Sequence, residues 1–503
     1  MRNGFQRASF VVRGRGLTLG TVAERLAEVH GDSCLVEERG ESPSSRRTLT
    51  YTEAAERVAR WSGGVAGLAA PGDRVVVAVP NGYDVLLLCL AASRAGCIPV
   101  PINGRMRPEE IDHVVQDSGA TVVLRSSAEV GGGLAPVAAV PAAPGDLAAL
   151  LYTSGTTGKP KGARLTHRAL VGQLPAAVLW PSALRRDEAV LALPVAHIMG
   201  FSSLLGLAGA GIQTCFLPTF RAKAVLDAIE TRRATIFVGV PAMYRMLLEA
   251  GAEDRDLSSV RVWASGADVM PPELTRRFTR MGSATTLFGR PVGGAAFVEG
   301  YGMVESGGGA AVRLSLPGVA MPLFGGFGLP LPGYRFRVVD DAGHDLPPGA
   351  VGELWLKGPG VTSGYHGDDA ATDGALTSDG WLRTGDLARK GALGPVALAG
   401  RKKDVLMVGG YSVGANEVER ALEAHPDVLE AAVTGLVDDR MGEVPVAAVR
   451  LAPGSRATAD HLVGWATERL SSHKAPRRIV VVDELPRTGT GKVQKSEVRA
   501  LFE

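Results

Sequence analysis

Residues 152–162 read Tyr-Thr-Ser-Gly-Thr-Thr-Gly-Lys-Pro-Lys-Gly and follow directly on the apolar, strand-like run 147–152. Gly155, Gly158 and Gly162 let a backbone approach an anion closely. The hydroxyls of Thr153, Ser154, Thr156 and Thr157 supply donors, and Lys159 and Lys161 add fixed positive charge. A short run of this composition would be a solvated loop. Eleven such residues leaving a buried strand read instead as a cradle for a polyphosphate. Pro160 follows Lys159 where a Walker A loop needs Ser or Thr, so that design is excluded. A strand that ends in an anion-binding loop belongs to layered α/β architecture, the first constraint on the fold.

The rest of the chain alternates in the same way. Residues 73–79 form a short apolar strand ended by Pro80-Asn81-Gly82; 83–95 and 108–118 have helical length and periodicity, and 121–124 is a further strand. Thr52 is read as the N-cap of a helix beginning near Glu53. Residues 126–145 read as a surface linker, 235–240 and 260–264 as strands of a second series, and 365–401 as a cluster of glycine, proline and charge. Beyond Asp404 the pattern restarts, with helices over 415–425 and 459–470 and strands over 431–435, 444–451 and 479–482. That segment is an α+β unit of about 100 residues. Such alternation predicts parallel sheets covered by helices.

Length and charge narrow the function classes. A chain of 503 residues holds more than one core, and a net charge of +2 gives no bulk electrostatic case for nucleic acid. The pairs Arg185-Arg186, Arg232-Arg233 and Arg276-Arg277 read as solvated helix faces, with weak membrane-surface contact as their alternative use; a homodimer is left open. Cys34, Cys89, Cys97 and Cys215 lack metal-ligand spacing, and Cys89, in the apolar run 85–90, reads as a small buried hydrophobe. Arg2, Arg7, Arg13 and Arg15 adjoin no apolar segment, and no run approaches the ~20 residues that span a bilayer, so the expected location is the cytoplasm.

The 152–162 stretch resembles the phosphate-loop signature of the adenylate-forming superfamily, which includes acyl-CoA synthetases, luciferases and peptide-synthetase adenylation domains. The resemblance is closest to fatty-acid and other acyl-CoA ligases. It continues in the family's order: 80–103 is similar to "PN…AG…VPxN", 264–267 to the adenine-side turn, and 299–305 to "GYGxTE". Residues 381–386 resemble the ribose-binding "RTGD", 400–404 the hinge motif, and 486–492 the C-terminal lysine motif.

The resemblance implies roles that chemistry makes intelligible. Thr153, Ser154, Gly155, Thr156, Thr157, Gly158 and Lys159 would hold the ATP phosphates, with Thr156 and Glu305 as hard-oxygen ligands of Mg2+. Ser265, Gly266, Ala267, Glu299, Gly300, Tyr301 and Gly302 would line the nucleotide, Tyr301 offering its ring to adenine. Asp386 can accept both ribose hydroxyls while Arg401 adds a donor. A carboxylate attacking the α-phosphorus meets like charge, so Lys492, Lys161 and Glu305 are the expected catalytic residues, through fixed cations and Mg2+. The resemblance also implies that the small domain carrying Lys492 swings about Asp404 and brings Gly409 and Gly410 to line a thiol channel.

Departures bear on rate and substrate. Val304 stands where the family has Thr and cannot donate a hydrogen bond; a contact worth about 1–3 kcal/mol would slow adenylation without abolishing it. His197, Met199, Gly307, Gly308 and Arg313 are assigned to the acyl and CoA pocket. No Asp nearby could hold a substrate ammonium, and the glycines after His197 and Glu305 leave room for a long acyl or bulky aryl group. Arg313 resembles a position of malonate-activating ligases and could clamp a second carboxylate, but Met199 replaces a His those ligases carry.

The expectation is an α/β protein with a large domain (1–402) of layered sheets, including a distorted β-barrel part, and a mobile α+β lid (405–503). It would convert a hydrophobic, fatty-type monocarboxylic acid and ATP to acyl-AMP and pyrophosphate, then to a CoA thioester. The alternatives are a carrier-protein-loading acyl-AMP ligase, a malonate-type ligase, a luciferase-like oxygenase, and a weakly active or non-catalytic nucleotide- or acyl-binding relative.

Overall fold

A computed structural model describes residues 16–40, 46–131, 135–153, 159–178, 180, 186–287, 290–317, 328–391, 394–452, 454–487 and 493–503. The chain divides into two compact units, Met1–Pro322 with Leu329–Arg335 and Lys357–Leu382, and Leu323–Gly328 with Phe336–Leu356 and Arg383–Glu503.

In the first unit a nine-stranded sheet runs in the order Leu329–Pro330, Gly308–Ser315, Ala296–Met303, Val262–Ser265, Ile236–Gly239, Glu188–Leu191, Gln213–Phe216, Cys34–Arg39, Arg46–Thr50. Its centre is parallel, but both edges turn antiparallel, so the sheet is mixed where the sequence led us to expect parallel pairing throughout. Between Arg39 and Arg46 and between Met303 and Gly308 the connections are too short for any but an antiparallel neighbour. A three-stranded parallel sheet joins Ile98–Pro101, Arg74–Val77 and Val122–Leu124. The helix Tyr83–Arg94 is buried at every position from Val85 to Ser93, which is why Cys89 behaves as a core residue.

The helix expected near Glu53 starts earlier. Residues 46–50 are strand, and Thr50, not Thr52, caps the helix Tyr51–Ala66 in a capping box with Glu53. Glu53 fits that register because it sits at the third helical position, where its carboxylate reaches back to the Thr50 N–H at 2.8 Å. The basic pair at 232–233 is only half solvated: Arg233 is exposed, whereas Arg232 is largely buried, holding Glu37 at 2.8 Å and also pairing with Glu188. A second apolar cluster packs Tyr244, Trp263, Phe278 and Phe297 edge-on or tilted beneath the strands Ile236–Gly239 and Val262–Ser265.

In the second unit, a four-stranded sheet orders Arg335–Val339, Val351–Lys357, Leu382–Lys390 and Val396–Arg401. Residues 365–401, a cluster of glycine, proline and charge in the sequence, carry regular elements. They hold two of these strands and the helix Asp369–Ala375. Only a few positions of Leu382–Lys390 are buried, and a half-solvated strand keeps too many polar residues to show an apolar run. The second sheet is built on Val428–Asp438 and Gly442–Leu451, both longer than expected. Gly442–Leu451 alternates between two cores: Ala447 and Val449 face one, Val446 and Ala448 the other. Among the described residues no helix is long and apolar enough to cross a membrane.

Candidate functional site

The phosphate-loop sequence lies between two paired strands. Leu147–Tyr152 pairs antiparallel with Gly162–Thr166, and the neck is closed by the Thr153 N–H donating to the Lys161 carbonyl at 3.0 Å. Lys159 is exposed at its rim; Ser154, Gly155, Thr156, Thr157 and Gly158 lie outside the described residues. Against the hairpin lies the segment 362–366, where the His366 N–H donates to the Gly162 carbonyl at 2.8 Å and the Arg164 N–H to that of Gly364 at 2.9 Å.

That docking builds a polar row the sequence did not reveal. Tyr365 donates its hydroxyl to Glu305 Oε1 at 2.7 Å, and Lys161 Nζ stands 5.6 Å over the Tyr365 ring while pairing with Asp368 at 2.9 Å. Burial and the neighbouring Glu305 push the Tyr365 phenol up, so it stays protonated and a donor. Two of the three expected catalytic residues, Lys161 and Glu305, are therefore linked through Tyr365. The chemistry of Glu305 fits Mg2+, which is usually held by one or two carboxylates plus waters and substrate phosphates. No cluster of three or more metal-ligating side chains occurs among the described residues, and that mode of binding does not require one.

At the carboxyl ends of the parallel strands, Ser265 and Gly239 stand in register, as do Ser265 and Glu299. Tyr244 donates to the Ala264 carbonyl at 2.8 Å and so fixes the strand just before the turn. Ser265 Oγ is buried with no hydrogen-bond partner among the described residues, an atom left for a ligand at the edge where open α/β sheets bind them. Ala267 takes a left-handed φ of 68°, rare without glycine. Tyr301 is buried. Gly300 approaches Gly266, and the Met199 thioether lies over the same glycine. Val304 is buried in the largest apolar cluster, where a threonine hydroxyl would need a partner of its own.

His197 caps the helix Ile198–Ala210, its Nδ1 accepting the Met199 N–H at 3.3 Å, which places the ring proton on Nε2. Gly307 and Gly308 both take positive φ. A Cβ on Gly307 would meet the carbonyls of Gly360 and Ala169 at 2.8 and 3.0 Å, and one on Gly308 would meet Ser202. Their smallness is thus used by backbone packing, whereas nothing lies within 4 Å of a Cβ on Gly206. Arg313 forms an ion pair with its cross-strand partner Glu299, a buried carboxylate. Burial pushes Glu299 up and Arg313 opposes that shift.

In the second unit Asp386 is buried and pairs with Arg401, its register partner on the next strand, at 3.1 Å. Gly385 before it takes φ 69°, and the Asp386 N–H donates to Thr384 Oγ1 at 3.0 Å. Asp404 ends a short 3-10 turn and lies 3.7 Å from Lys495, which also binds Glu419 at 2.7 Å. Gly409 and Gly410, with φ 57° and 83°, form the two-residue turn joining Val405–Val408 to Tyr411–Gly414. Lys492 lies outside the described residues.

Residues 23–131 and 125–366 match the model of the AMP-binding enzyme family, and 417–492 that of the AMP-binding enzyme C-terminal domain. A feruloyl-CoA synthase from Amycolatopsis sp. is 36% identical over 477 residues, covering 90% of this chain and 94% of that protein. An indoleacetate–CoA ligase from Aromatoleum aromaticum is 36% identical over 354 residues, 70% of this chain and 66% of its own. The solved structure of o-succinylbenzoate coenzyme A synthetase (MenE) from Bacillus subtilis with ATP and magnesium aligns with TM-score 0.80 at 25% identity, covering 95% of this chain and 99% of that one.

Proposed function

The chain belongs to the AMP-binding enzyme family and is an AMP-forming acid–CoA ligase using ATP, Mg2+ and CoA; from that premise we propose that its acid is a hydrophobic monocarboxylic acid, aromatic in preference to fatty. The Arg313–Glu299 pair carries the monocarboxylic half of this reading. A guanidinium already neutralised by a buried carboxylate is a poor clamp for a second one, which disfavours a malonate-type substrate. The aromatic half is supported by relatives named for ferulate and indoleacetate. The fatty-type acid expected from the sequence becomes the second choice.

In the proposed mechanism a carboxylate oxygen of the acid attacks the α-phosphorus of ATP and the bond to pyrophosphate breaks. Glu305, oriented by the Tyr365 hydroxyl, would hold Mg2+. Mg2+ bound there would neutralise phosphate charge. The main chain and hydroxyls of 153–158 and Lys159 hold the phosphates, Lys161 and Lys492 offset charge at the reacting centre, and Asp386 with Arg401 takes the ribose. Ser265, Gly266, Ala267, Gly300, Gly302 and Tyr301 border the adenine side, and Glu299 acts through Arg313. CoA sulfur then attacks the acyl carbonyl carbon, AMP departs, and Gly409 and Gly410 line the thiol path as residues 405–503 turn about Asp404.

A pyrophosphate-release screen over cinnamic and indole acids, fatty acids of graded length and malonate tests the substrate. Aromatic acids should give the highest kcat/KM, and malonate should fall at least about a hundredfold lower, the ~3 kcal/mol scale of a charged group left without its partner. Malonate or a fatty acid leading the series would sink the proposal.

A further inference from the structure

The hairpin Thr285–Leu287/Arg290–Val292 serves none of the roles above. Its cross-strand pairs put Thr285, Leu287, Arg290 and Val292 on one face and Thr286 and Pro291 on the other. All six are exposed, Leu287 by 57% and Val292 by 44%. A two-stranded ribbon in water is marginally stable, so the exposed aliphatic pair Leu287 and Val292 on it calls for an apolar surface to rest on. The ribbon is held at its base: the Ala284 N–H donates to the Val292 carbonyl at 3.1 Å, and the Ala295 N–H to that of Thr279 at 2.9 Å. The second bond sets it beside the last turn of the helix Pro272–Met281. From 270 to 294 the chain carries four arginines (Arg276, Arg277, Arg280, Arg290) and one acid, Glu273. Glu273 pairs with Arg276, and Glu253 takes Arg277 at 2.7 Å.

We propose that this face docks on an anionic lipid surface, Leu287 and Val292 entering the boundary between headgroups and acyl chains while Arg280 and Arg290 meet lipid phosphates. Exposed aliphatic residues beside exposed arginines, Arg290 on the ribbon and Arg280 on the neighbouring helix, are the chemistry of interfacial binding. A stable protein partner would need about 800 Å2 on each side, more than a ribbon of three residues per strand presents. Edge-to-edge pairing with a second copy is opposed by Pro291, which has no N–H to give. The docking would hold the enzyme where hydrophobic acids concentrate, and it stands whichever acid is activated.

The test is co-sedimentation of the full chain with phosphatidylcholine vesicles, with and without phosphatidylglycerol. The double variants are L287S/V292S and R280Q/R290Q, and the control is R60Q, which removes one exposed charge from the helix Tyr51–Ala66. The parent should bind the anionic vesicles and not the neutral ones. Each arginine lost should lower binding about fivefold, L287S/V292S should lower it comparably, and R60Q should not. Circular dichroism and lipid-free pyrophosphate release check that the variants fold. The proposal is overturned if the folded parent ignores anionic vesicles, or if either double variant binds as the parent does.

Discussion

Gly302 has no room for a side chain. A Cβ built there falls on the carbonyl oxygen of Gly308, across the bulge between the strands Ala296–Met303 and Gly308–Ser315. Gly302→Ala should therefore force the backbone apart and cost about 1–3 kcal/mol or more, read as a lowered Tm; an unchanged melt would refute the packing argument. Tyr365 makes a different case. Tyr365→Phe removes the hydroxyl that orients Glu305 and should lower kcat/KM for ATP about five- to tenfold, with a raised Mg2+ requirement and an unchanged Tm. Equal activity at all Mg2+ concentrations would remove the orienting role. Gly302 was legible because its motif is local. Tyr365 opens a cluster of glycine, proline and charge without periodicity, and its partner Glu305 lies 60 residues away, a separation no periodicity reports.

At the scale of elements, the helix His167–Val171 is tied to the start of the chain by the Leu19 N–H donating to His167 Nδ1 at 3.0 Å. Burial holds the His167 imidazole below its ordinary value of 6.5, with Asp146 opposing. The unfolded chain thus takes up the proton first as pH falls. The contribution is complete above about pH 6.5 and is lost as pH drops toward the depressed folded value. The Tm should decline more steeply from about pH 7.5 to about pH 5 in the parent than in His167→Gln, which keeps an acceptor but cannot charge. Parallel Tm profiles would count against it. The strands 74–77 and 147–152 and the helices 83–94 and 108–118 were legible to within a few residues because both faces, or one clean face, are apolar. The hairpin 285–292 and the strands 382–401 escaped because exposed or half-solvated strands carry no apolar run.

At the scale of the whole molecule, two apolar clusters of the second unit lie wholly between Leu406 and Phe502, on opposite faces of the strand Gly442–Leu451. A fragment of residues 405–503 should therefore fold without the rest of the chain and melt cooperatively by circular dichroism; a featureless melt would show that its cores depend on other segments. The sequence by itself determined the polyphosphate cradle, since glycines, hydroxyls and lysines act on phosphate through short-range backbone approach and charge that a linear motif records, and it carried the reaction class through its resemblance to the adenylate-forming superfamily. It also determined the α/β alternation, which follows from local apolar periodicity. Tertiary structure decided which charges are already spent. Strand register gives Arg313 to Glu299 and Arg401 to Asp386, and packing brings Tyr365 to Glu305. Register and packing join residues far apart in the chain, so the partner of an ion or a hydroxyl exists only once the sheet has formed.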